Sequence, residues 1–304
     1  MLATLLLAAV TVAFPKEGQK IPHLSRCYMI GATDGPETNL AIRVSGGGRQ
    51  TSAVAPVHRT GAWAALIDVK PGTNVVEVGD ARRTFVVEPP KPSEPSKPSK
   101  TYTKLEYAAD TAKPHPAGRK PSEITVVIDA GHGGSDPGAV SPHGLPEKDA
   151  NLRLAKAVEK ELKGRGYRVV MTRADDSFPA LYDRPKAAHR ENADAFISIH
   201  HNAPGYATDP LAVNYHAVYA WNPLGERLAK AVNGRMAEAT PALRNEGVIH
   251  ANFAVTRNPE IPSCLIETNF ITHPDGELAA WDPAARERTA RAIADGFADW
   301  ASRP

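Results

Sequence analysis

The chain has 304 residues, of which 42% are hydrophobic and 23% are charged, and its formal net charge is +2. These values are typical of a globular protein with room for one large domain and a smaller one. The small net charge gives no indication of a nucleic-acid partner. Only two cysteines occur, Cys27 and Cys264. That number is too small for a disulfide scaffold, and the two thiols either form one disulfide or remain unpaired.

An apolar run covers residues 2–14 at the N-terminus. It has the length of the apolar core of a signal peptide and is too short to cross a bilayer, and the small residues at 11–13 suit cleavage. We therefore predict a signal peptide over residues 1–15. Because no other apolar stretch approaches membrane length, we expect an exported protein of the periplasm, cell envelope or extracellular space, without stable membrane insertion. The sequence carries no signal of oligomeric state, and a monomer is taken as the default.

Residues 16–88 are predicted to form a small all-β accessory domain. Short runs rich in β-branched residues alternate with turns that contain Gly or Pro, a pattern typical of a β-sandwich. No cluster of metal-ligating or nucleophilic residues occurs in this region, so we expect no chemistry there. The strands are predicted at residues 40–44, 64–69, 74–78 and 83–87.

Residues 89–122 are rich in Pro, Lys and Ser. Such a segment buries little apolar surface and is predicted to be an extended linker. From residue 123 to 304, strand-like and helix-like patterns alternate, which indicates an α/β domain with a mostly parallel sheet flanked by helices. Strands are predicted at residues 124–128, 167–172, 195–199, 213–220 and 264–266, and helices at 149–163, 179–192, 224–239 and 283–300.

The first strand of this α/β domain leads into a glycine-rich loop, in the segment ITVVIDAGHGGSDPGA. Neither the phosphate-binding pattern with Gly-Lys-Ser/Thr nor the GxGxxG pattern of dinucleotide sites is present. His132 lies in this loop, just past the carboxyl end of a buried strand, which is where open α/β sheets bind their ligands. On its own, the segment fits a plain turn as well as a catalytic or metal-binding loop.

Three further ligand-type side chains occupy similar positions. His200 follows one predicted strand, Glu267 ends another, and Glu147 precedes the first predicted helix. Strand ends at one edge of a sheet converge, and two His with one Glu are the protein ligands of a catalytic zinc that keeps a fourth position for water. A further carboxylate is needed to take a proton from water and return it to the leaving group.

Each of these residues also has a simpler explanation when it is taken alone. A carboxylate such as Glu147 at a helix N-terminus interacts favourably with the helix dipole. His200 and His201 are neighbours, so at most one of them points toward a given metal. A carboxylate inside an apolar strand, such as Glu267, is costly to bury unpaired and should have a partner or a function.

Four segments, IDAGHGGSDPGA, GLPEKDANL, AFISIHHNA and IPSCLIETNF, resemble the motifs of the zinc-dependent N-acetylmuramoyl-L-alanine amidases, the Amidase_3 family of bacterial cell-wall amidases. The resemblance covers roughly residues 124–300. It implies one Zn2+ per catalytic domain, held by His132, Glu147 and His200, with Glu267 as general base and general acid. The implied reaction is hydrolysis of the amide that joins N-acetylmuramic acid to L-alanine in peptidoglycan.

The resemblance also suggests roles for residues near these motifs. Asp129 is expected to orient a metal ligand, Asn202 to orient a ligand or contact substrate, and Arg257 to contact substrate. His201 replaces the small residue that usually follows the ligand histidine, so both imidazoles remain candidate ligands. Some family members carry an inserted helix that covers the site. Here residues 202–211 form a short loop, so we expect an open site.

Two alternatives to the amidase remain open from the sequence. A zinc peptidase of similar architecture would cleave within the stem peptide rather than at the sugar–peptide amide. A non-catalytic cell-wall-binding protein would keep the fold without turnover. Analysis of the cleavage products separates the first alternative from an amidase, and metal content tests the second.

Overall fold

The computed structural model describes residues 9–90 and 113–303, which form two domains. The strands of the first domain are β1 (Val10–Phe14), β2 (Lys20–Ile21), β3 (Arg26–Thr33), β4 (Asn39–Gly46), β5 (Arg49–Pro56), β6 (Ala62–Asp68), β7 (Gly72–Val78) and β8 (Ala81–Val87). They form a three-stranded sheet in the order β1-β3-β6 and a five-stranded sheet in the order β2-β8-β7-β4-β5.

The core of the first domain is built from both of its sheets. The side chains of Ile42, Trp63 and Phe85 are fully buried there. In β4, buried and exposed residues alternate, as expected for a strand with one face toward a core and the other toward water. The all-β fold predicted for this region is therefore confirmed, and each of the predicted strands overlaps a strand of the structure.

The structure differs from the predicted boundary between the signal peptide and the first domain. β1, which the sequence analysis assigned to the apolar run of the signal peptide, pairs with β3, where Val12 lies opposite Gly31. Val12 is buried in the core, so a domain that began at residue 16 would lack this strand. The segment VTVAF is apolar and β-branched, a composition shared by strands and signal peptides, so the pattern alone did not separate them. Residues 1–8 lie outside the described residues.

The described end of the predicted linker packs on the second domain. Residues 91–112 lie outside the described residues. Arg119 and Lys113 both form ion pairs with the buried carboxylate of Asp194, with N–O distances of 2.7 and 3.2 Å. Residues 113–122 therefore belong structurally to the second domain rather than to a free linker.

The second domain is a six-stranded α/β domain. Its elements are β9 (Thr125–Ala130), α1 (Glu147–Gly164), β10 (Arg168–Met171), α2 (Asp183–Arg190), β11 (Ala195–Asn202), β12 (Tyr215–Ala220), α3 (Pro223–Ala239), β13 (Arg244–His250), β14 (Ser263–Phe270), α4 (Pro274–Trp281) and α5 (Pro283–Ser302). The strand order is β10-β9-β11-β14-β12-β13. Only the β12–β14 pair is antiparallel. The predicted mostly parallel α/β fold is confirmed, whereas β13 and α4 were not predicted.

Helices cover both faces of this sheet. α1, α3 and α5 pack on one face, over a core that includes the fully buried Val158, Leu228 and Phe297. α2 and the loop before β14 pack on the other face, over Phe196. Within residues 9–90 and 113–303, no helix is both long enough and apolar enough to cross a membrane.

The two cysteines do not form the disulfide that the sequence left open. Cys27 lies in the core of the first domain and Cys264 in the core of the second. Both are buried free thiols. Burial raises the pKa of the Cys27 thiol to about 12, so this thiol stays protonated and unreactive at neutral pH.

The two domains share an interface beside β11. Phe14 and Tyr28 of the first domain stack with Tyr206 of the second, with ring centroids 5.6 and 6.3 Å apart. The backbone N–H of Tyr28 donates a hydrogen bond to the carbonyl oxygen of Tyr206 at 2.8 Å. Leu211 packs against the same cluster. The segment that follows β11, residues 203–212, is thus held against the first domain.

Candidate metal centre

Three ligand-type side chains converge at the carboxyl edge of the second domain's sheet. His132 follows β9, Glu147 is the first residue of α1, and His200 lies near the end of β11. Their ligand atoms all lie within 4.8 Å of one another. Glu147 Oε1 is 3.1 Å from His132 Nε2 and 3.0 Å from His200 Nδ1. The structure thus brings together the three residues that the sequence analysis predicted as zinc ligands.

Two buried arginines hold the glycine-rich loop that carries His132. Arg184 donates hydrogen bonds to the carbonyl oxygens of Ala130 and His132, at 2.9 and 2.8 Å. Arg173 donates to the carbonyl oxygens of Ala130 and Gly131, both at 2.9 Å. His132 has a left-handed φ of 61°, which is uncommon for a residue other than glycine. The arginines therefore stabilise a backbone conformation that His132 would not favour alone.

Asp129 contacts one of these arginines rather than an imidazole. Its carboxylate is fully buried and accepts a hydrogen bond from Arg184 Nη1 at 3.0 Å. The hydroxyl groups of Thr172 and Ser198 also donate to it, at 2.6 and 2.7 Å. Its predicted influence on a metal ligand is therefore indirect in this structure, because Asp129 neutralises Arg184, and Arg184 holds the backbone of His132.

The carboxylate at Nδ1 of the His132 ring, opposite the contact with Glu147, belongs to Asp136, which the sequence analysis did not single out. Asp136 Oδ2 lies 2.7 Å from His132 Nδ1, and the backbone N–H of Gly138 donates to Asp136 Oδ1 at 3.1 Å. Burial lowers the pKa of His132, but the hydrogen bonds and charges of Glu147 and Asp136 outweigh it and raise that pKa to about 9. The available signal was a carboxylate four residues after the histidine in the same loop.

Glu147 is buried at the N-terminus of α1. Its Oε2 accepts a hydrogen bond from the backbone N–H of Ala139 at 3.0 Å, and its Oε1 accepts one from Asn151 Nδ2 at 3.1 Å. Burial raises the pKa of Glu147, but the hydrogen bonds and charges of His132 and His200 outweigh it and hold that pKa well below its ordinary value. The N-terminus of α1 also favours a negative charge. The ionised form, which binds metals, is therefore the stable one.

The neighbouring histidines of β11 lie in different surroundings. His200 lies with His132 and Glu147, and we call this group of three candidate ligand side chains the metal cluster. A side chain at Gly131 would collide with the imidazole of His200. His201 is buried, with Nδ1 2.8 Å from Asn151 Oδ1. Burial lowers the pKa of His201 to about 4. Of the two candidate imidazoles, the structure therefore places His200 beside the other two candidate ligands, His132 and Glu147.

Glu267 lies beside His200 on the neighbouring strand. The two residues are partners in the parallel register of β11 and β14, so their side chains project to the same side, about 4.8 Å apart at the backbone. Glu267 Oε2 is buried and has no hydrogen-bond partner among the described residues. Burial, and in addition the charge of Glu147, raises the pKa of Glu267 well above its ordinary value. A buried carboxylate without a partner favours the interpretation that it has a function.

Comparison with known proteins identifies the family. The family described as N-acetylmuramoyl-L-alanine amidase matches residues 126–299. The chain belongs to this family. The match lies entirely within the second domain, which we therefore call the amidase domain.

Individual relatives agree with this assignment. The N-acetylmuramoyl-L-alanine amidase LytC of Bacillus subtilis is 35% identical over 172 residues, which cover 57% of this chain and only 34% of LytC. The N-acetylmuramoyl-L-alanine amidase AmiA of Escherichia coli is 33% identical over 217 residues, which cover 56% of this chain and 74% of AmiA. Among solved structures, the amidase AmiC2 of Nostoc punctiforme superposes with a TM-score of 0.57 at 36% identity, covering 60% of this chain and 98% of that chain.

The two predicted substrate contacts of the amidase domain lie outside the metal cluster. Asn202 ends β11, and its Oδ1 accepts a hydrogen bond from the backbone N–H of Ala203 at 2.8 Å. Arg257 is exposed in the loop before β14, where its Nη2 donates to the carbonyl oxygen of Asn252 at 3.2 Å. Both remain predictions as substrate contacts.

The metal cluster of the amidase domain is accessible to solvent. The side chains of His132 and His200 are 24% and 17% exposed. The α-helix between β11 and β14 is α3, which packs with α5 against one face of the sheet. In the described part of this segment, no α-helix lies over the metal cluster.

Proposed function

We propose that this chain is a zinc-dependent hydrolase that cleaves the amide between N-acetylmuramic acid and L-alanine in peptidoglycan. The observation that carries the proposal is the convergence of His132, Glu147 and His200 beside Glu267, in a chain of the amidase family. Because peptidoglycan lies outside the cytoplasm, the proposal includes export of the protein to the cell envelope.

The donor set suits zinc. Two imidazole nitrogens and one carboxylate oxygen are the protein ligands of one class of catalytic zinc site. A tetrahedral ion about 2.0–2.1 Å from each ligand requires ligand atoms roughly 3.3–3.5 Å apart. The distances from Glu147 Oε1 to His132 Nε2 and His200 Nδ1, 3.1 and 3.0 Å, are close to this requirement. Asp136 accepts a hydrogen bond at Nδ1 of His132, which leaves the lone pair of Nε2 for the metal.

Glu267 carries out both proton transfers of the proposed amide hydrolysis. When bound, zinc supplies a Lewis acid for this reaction. Glu267 takes a proton from the attacking water and then donates it to the nitrogen of the leaving L-alanine. The raised pKa of Glu267 suits the second step, because the protonated carboxyl is stable in this buried position. Glu147 is held ionised by the histidines, so the two carboxylates take different roles.

The test is a digestion of purified peptidoglycan by the zinc-loaded protein, followed by mass spectrometry. We expect free stem peptides that begin with L-alanine, lost on addition of a chelator and restored by zinc. Glu267→Gln, loaded with zinc, is the matched control and should release these peptides at least about 10²-fold more slowly. Cleavage within the peptide would replace the proposal with a zinc peptidase. Absence of any cleavage by the zinc-loaded protein would favour a non-catalytic cell-wall-binding protein.

A further inference from the structure

Three large apolar side chains are exposed close to the metal cluster. Phe178, Leu181 and Tyr182 are 50%, 53% and 62% exposed, and they lie just before α2. We call residues 178–182 the ridge. Single exposed apolar residues are ordinary on protein surfaces, whereas a group of them indicates a surface that binds something.

The ridge is fixed to the loop that carries His132. A side chain at Gly134, two residues after His132, would approach Phe178 Cβ to 3.0 Å. Asp176 Oδ1 accepts a hydrogen bond from the backbone N–H of Gly134 at 3.0 Å, and Asp176 Oδ2 accepts one from Lys148 Nζ at 2.7 Å. The ridge therefore borders the loop that carries His132, so a polymer bound at the metal cluster has the ridge beside it.

The charged side chains beside the ridge are paired with one another. The carboxylates of Asp176 and Asp183 are 59% and 54% exposed. Lys148 and Lys186 are ion-paired with these same carboxylates, at 2.7 and 2.9 Å. These ion pairs leave the surface with little net charge, so a neutral polar ligand suits it better than a charged ligand, which would have to compete for groups that are already paired.

We propose that the ridge is a saccharide-binding subsite, which holds the sugar chain of peptidoglycan on the N-acetylmuramic acid side of the cleaved amide. This inference rests on the proposed amidase function. A pyranose ring has an apolar C–H face that packs on the rings of Phe178 or Tyr182, and its hydroxyl groups donate hydrogen bonds to a carboxylate such as Asp176. The sugar chain is neutral where its lactyl groups are amide-linked, which suits a surface whose charges are already paired, whereas the carboxylates of the stem peptide would have to compete with Asp176 and Asp183 for Lys148 and Lys186.

The first experiment compares two soluble substrates that carry the same stem peptide. One has a single N-acetylmuramic acid, and the other has a chain of alternating sugars. For the double variant Phe178→Ala/Tyr182→Ala, we expect KM on the long substrate to rise about tenfold, because two apolar contacts are lost. The KM on the single-sugar substrate and kcat on both should stay within about twofold. Trp281→Ala, which removes another exposed aromatic side chain, should leave both substrates unaffected.

The second experiment measures binding without turnover. Zinc-loaded Glu267→Gln is titrated calorimetrically with a peptide-free chain of alternating N-acetylglucosamine and N-acetylmuramic acid whose lactyl carboxyl groups are capped as simple amides, so that the chain is neutral. We expect binding that weakens about tenfold when Phe178 and Tyr182 are also replaced by Ala. If the wild type cleaves neither substrate, the proposed function fails, but this titration still tests the ridge.

Several results would overturn the inference. An equal rise in KM on both substrates would assign the ridge to the stem peptide. Unchanged KM on both substrates, or unchanged affinity for the peptide-free sugar chain, would show that the ridge does not bind saccharide. A loss of kcat alone would show that the substitutions disturb His132 instead.

Discussion

Two neighbouring histidines at the end of β11, His200 and His201, have different surroundings. His200 lies with His132 and Glu147 in a partly exposed cluster and has Glu267 as its neighbour on β14. His201 is buried and pairs with the amide of Asn151. Alternation along a strand sends neighbouring side chains to opposite faces. Two residues of one type thus take different roles because their partners and burial differ, not because their own chemistry does.

The largest expected effect is that of replacing His200. His200→Ala removes one of the three ligand atoms, so we expect loss of stoichiometric zinc and a fall in peptidoglycan hydrolysis of at least about 10³-fold. Elemental analysis and product release measure the two effects. The matched variant His201→Asn should keep zinc and most of the turnover. If His201→Asn lost zinc and His200→Ala kept it, the assignment of the two faces would be reversed.

A second substitution, at the neighbour of His200 on β14, separates metal binding from proton transfer. Glu267→Gln keeps the shape of the side chain but removes the base, so we expect kcat to fall about 10²–10⁴-fold while the zinc content stays at one ion per chain. Steady-state kinetics and elemental analysis on the same preparation check this. Loss of zinc from this variant would show that Glu267 is a ligand rather than a base.

The pH dependence of stability tests the burial of His201. The pKa of His201 is about 4 in the folded protein, against about 6.5 in the unfolded chain. The neutral form is favoured by folding, so this contribution to stability is fully present above pH 6.5 and is lost as the pH falls toward 4. Between these limits, metal-free wild type should lose about 3 kcal/mol more stability than metal-free His201→Asn. Parallel acid dependence in urea unfolding of the two proteins would contradict this.

The smallest effect is expected from the residue that orients His132. Asp136→Ala removes the acceptor at Nδ1 of His132, so we expect zinc affinity to fall about 10–100-fold. Competition with a calibrated zinc chelator measures this affinity. The fold should be unaffected, because the Asp136 side chain is partly exposed to solvent. Zinc affinity equal to that of wild type would show that the hydrogen bond does not orient the ring.

The convergence of the metal cluster could be predicted from the sequence because strand ends carry positional information. A run such as TVVIDA followed by glycines and His132 places that histidine at a sheet edge, and the strands before His200 and around Glu267 lead to the same edge. The choice between His200 and His201 needed the structure, because it depends on which face of β11 meets α1. The arginines that hold the loop carbonyls were missed because their partners are backbone atoms that no sequence spacing reveals. Asp136 was missed although it lies four residues after His132, because that spacing brings side chains together in a helix but not generally in a loop.

In the fold as well, elements with a local sequence pattern could be predicted, whereas those defined by long-range strand pairing could not. The long helices α1, α3 and α5 follow from their periodic apolar residues. The exposed edge strand β13 has no such pattern, because little of it is buried. β1 was assigned to a signal peptide, since its apolar residues indicate burial but not whether the burial is in a membrane or against β3.

The aromatic stack between the domains limits their modular exchange. A long proline-rich connection normally lets evolution recombine an accessory domain with many catalytic domains. Here Tyr206, six residues after His200, stacks on the rings of Phe14 and Tyr28 of the first domain. A chimera that joined this amidase domain to a foreign accessory domain would leave that stack without its counterpart. Residues 203–212 and the surface of β1 and β3 should therefore covary among relatives that keep both domains, and diverge freely in those that have lost the first.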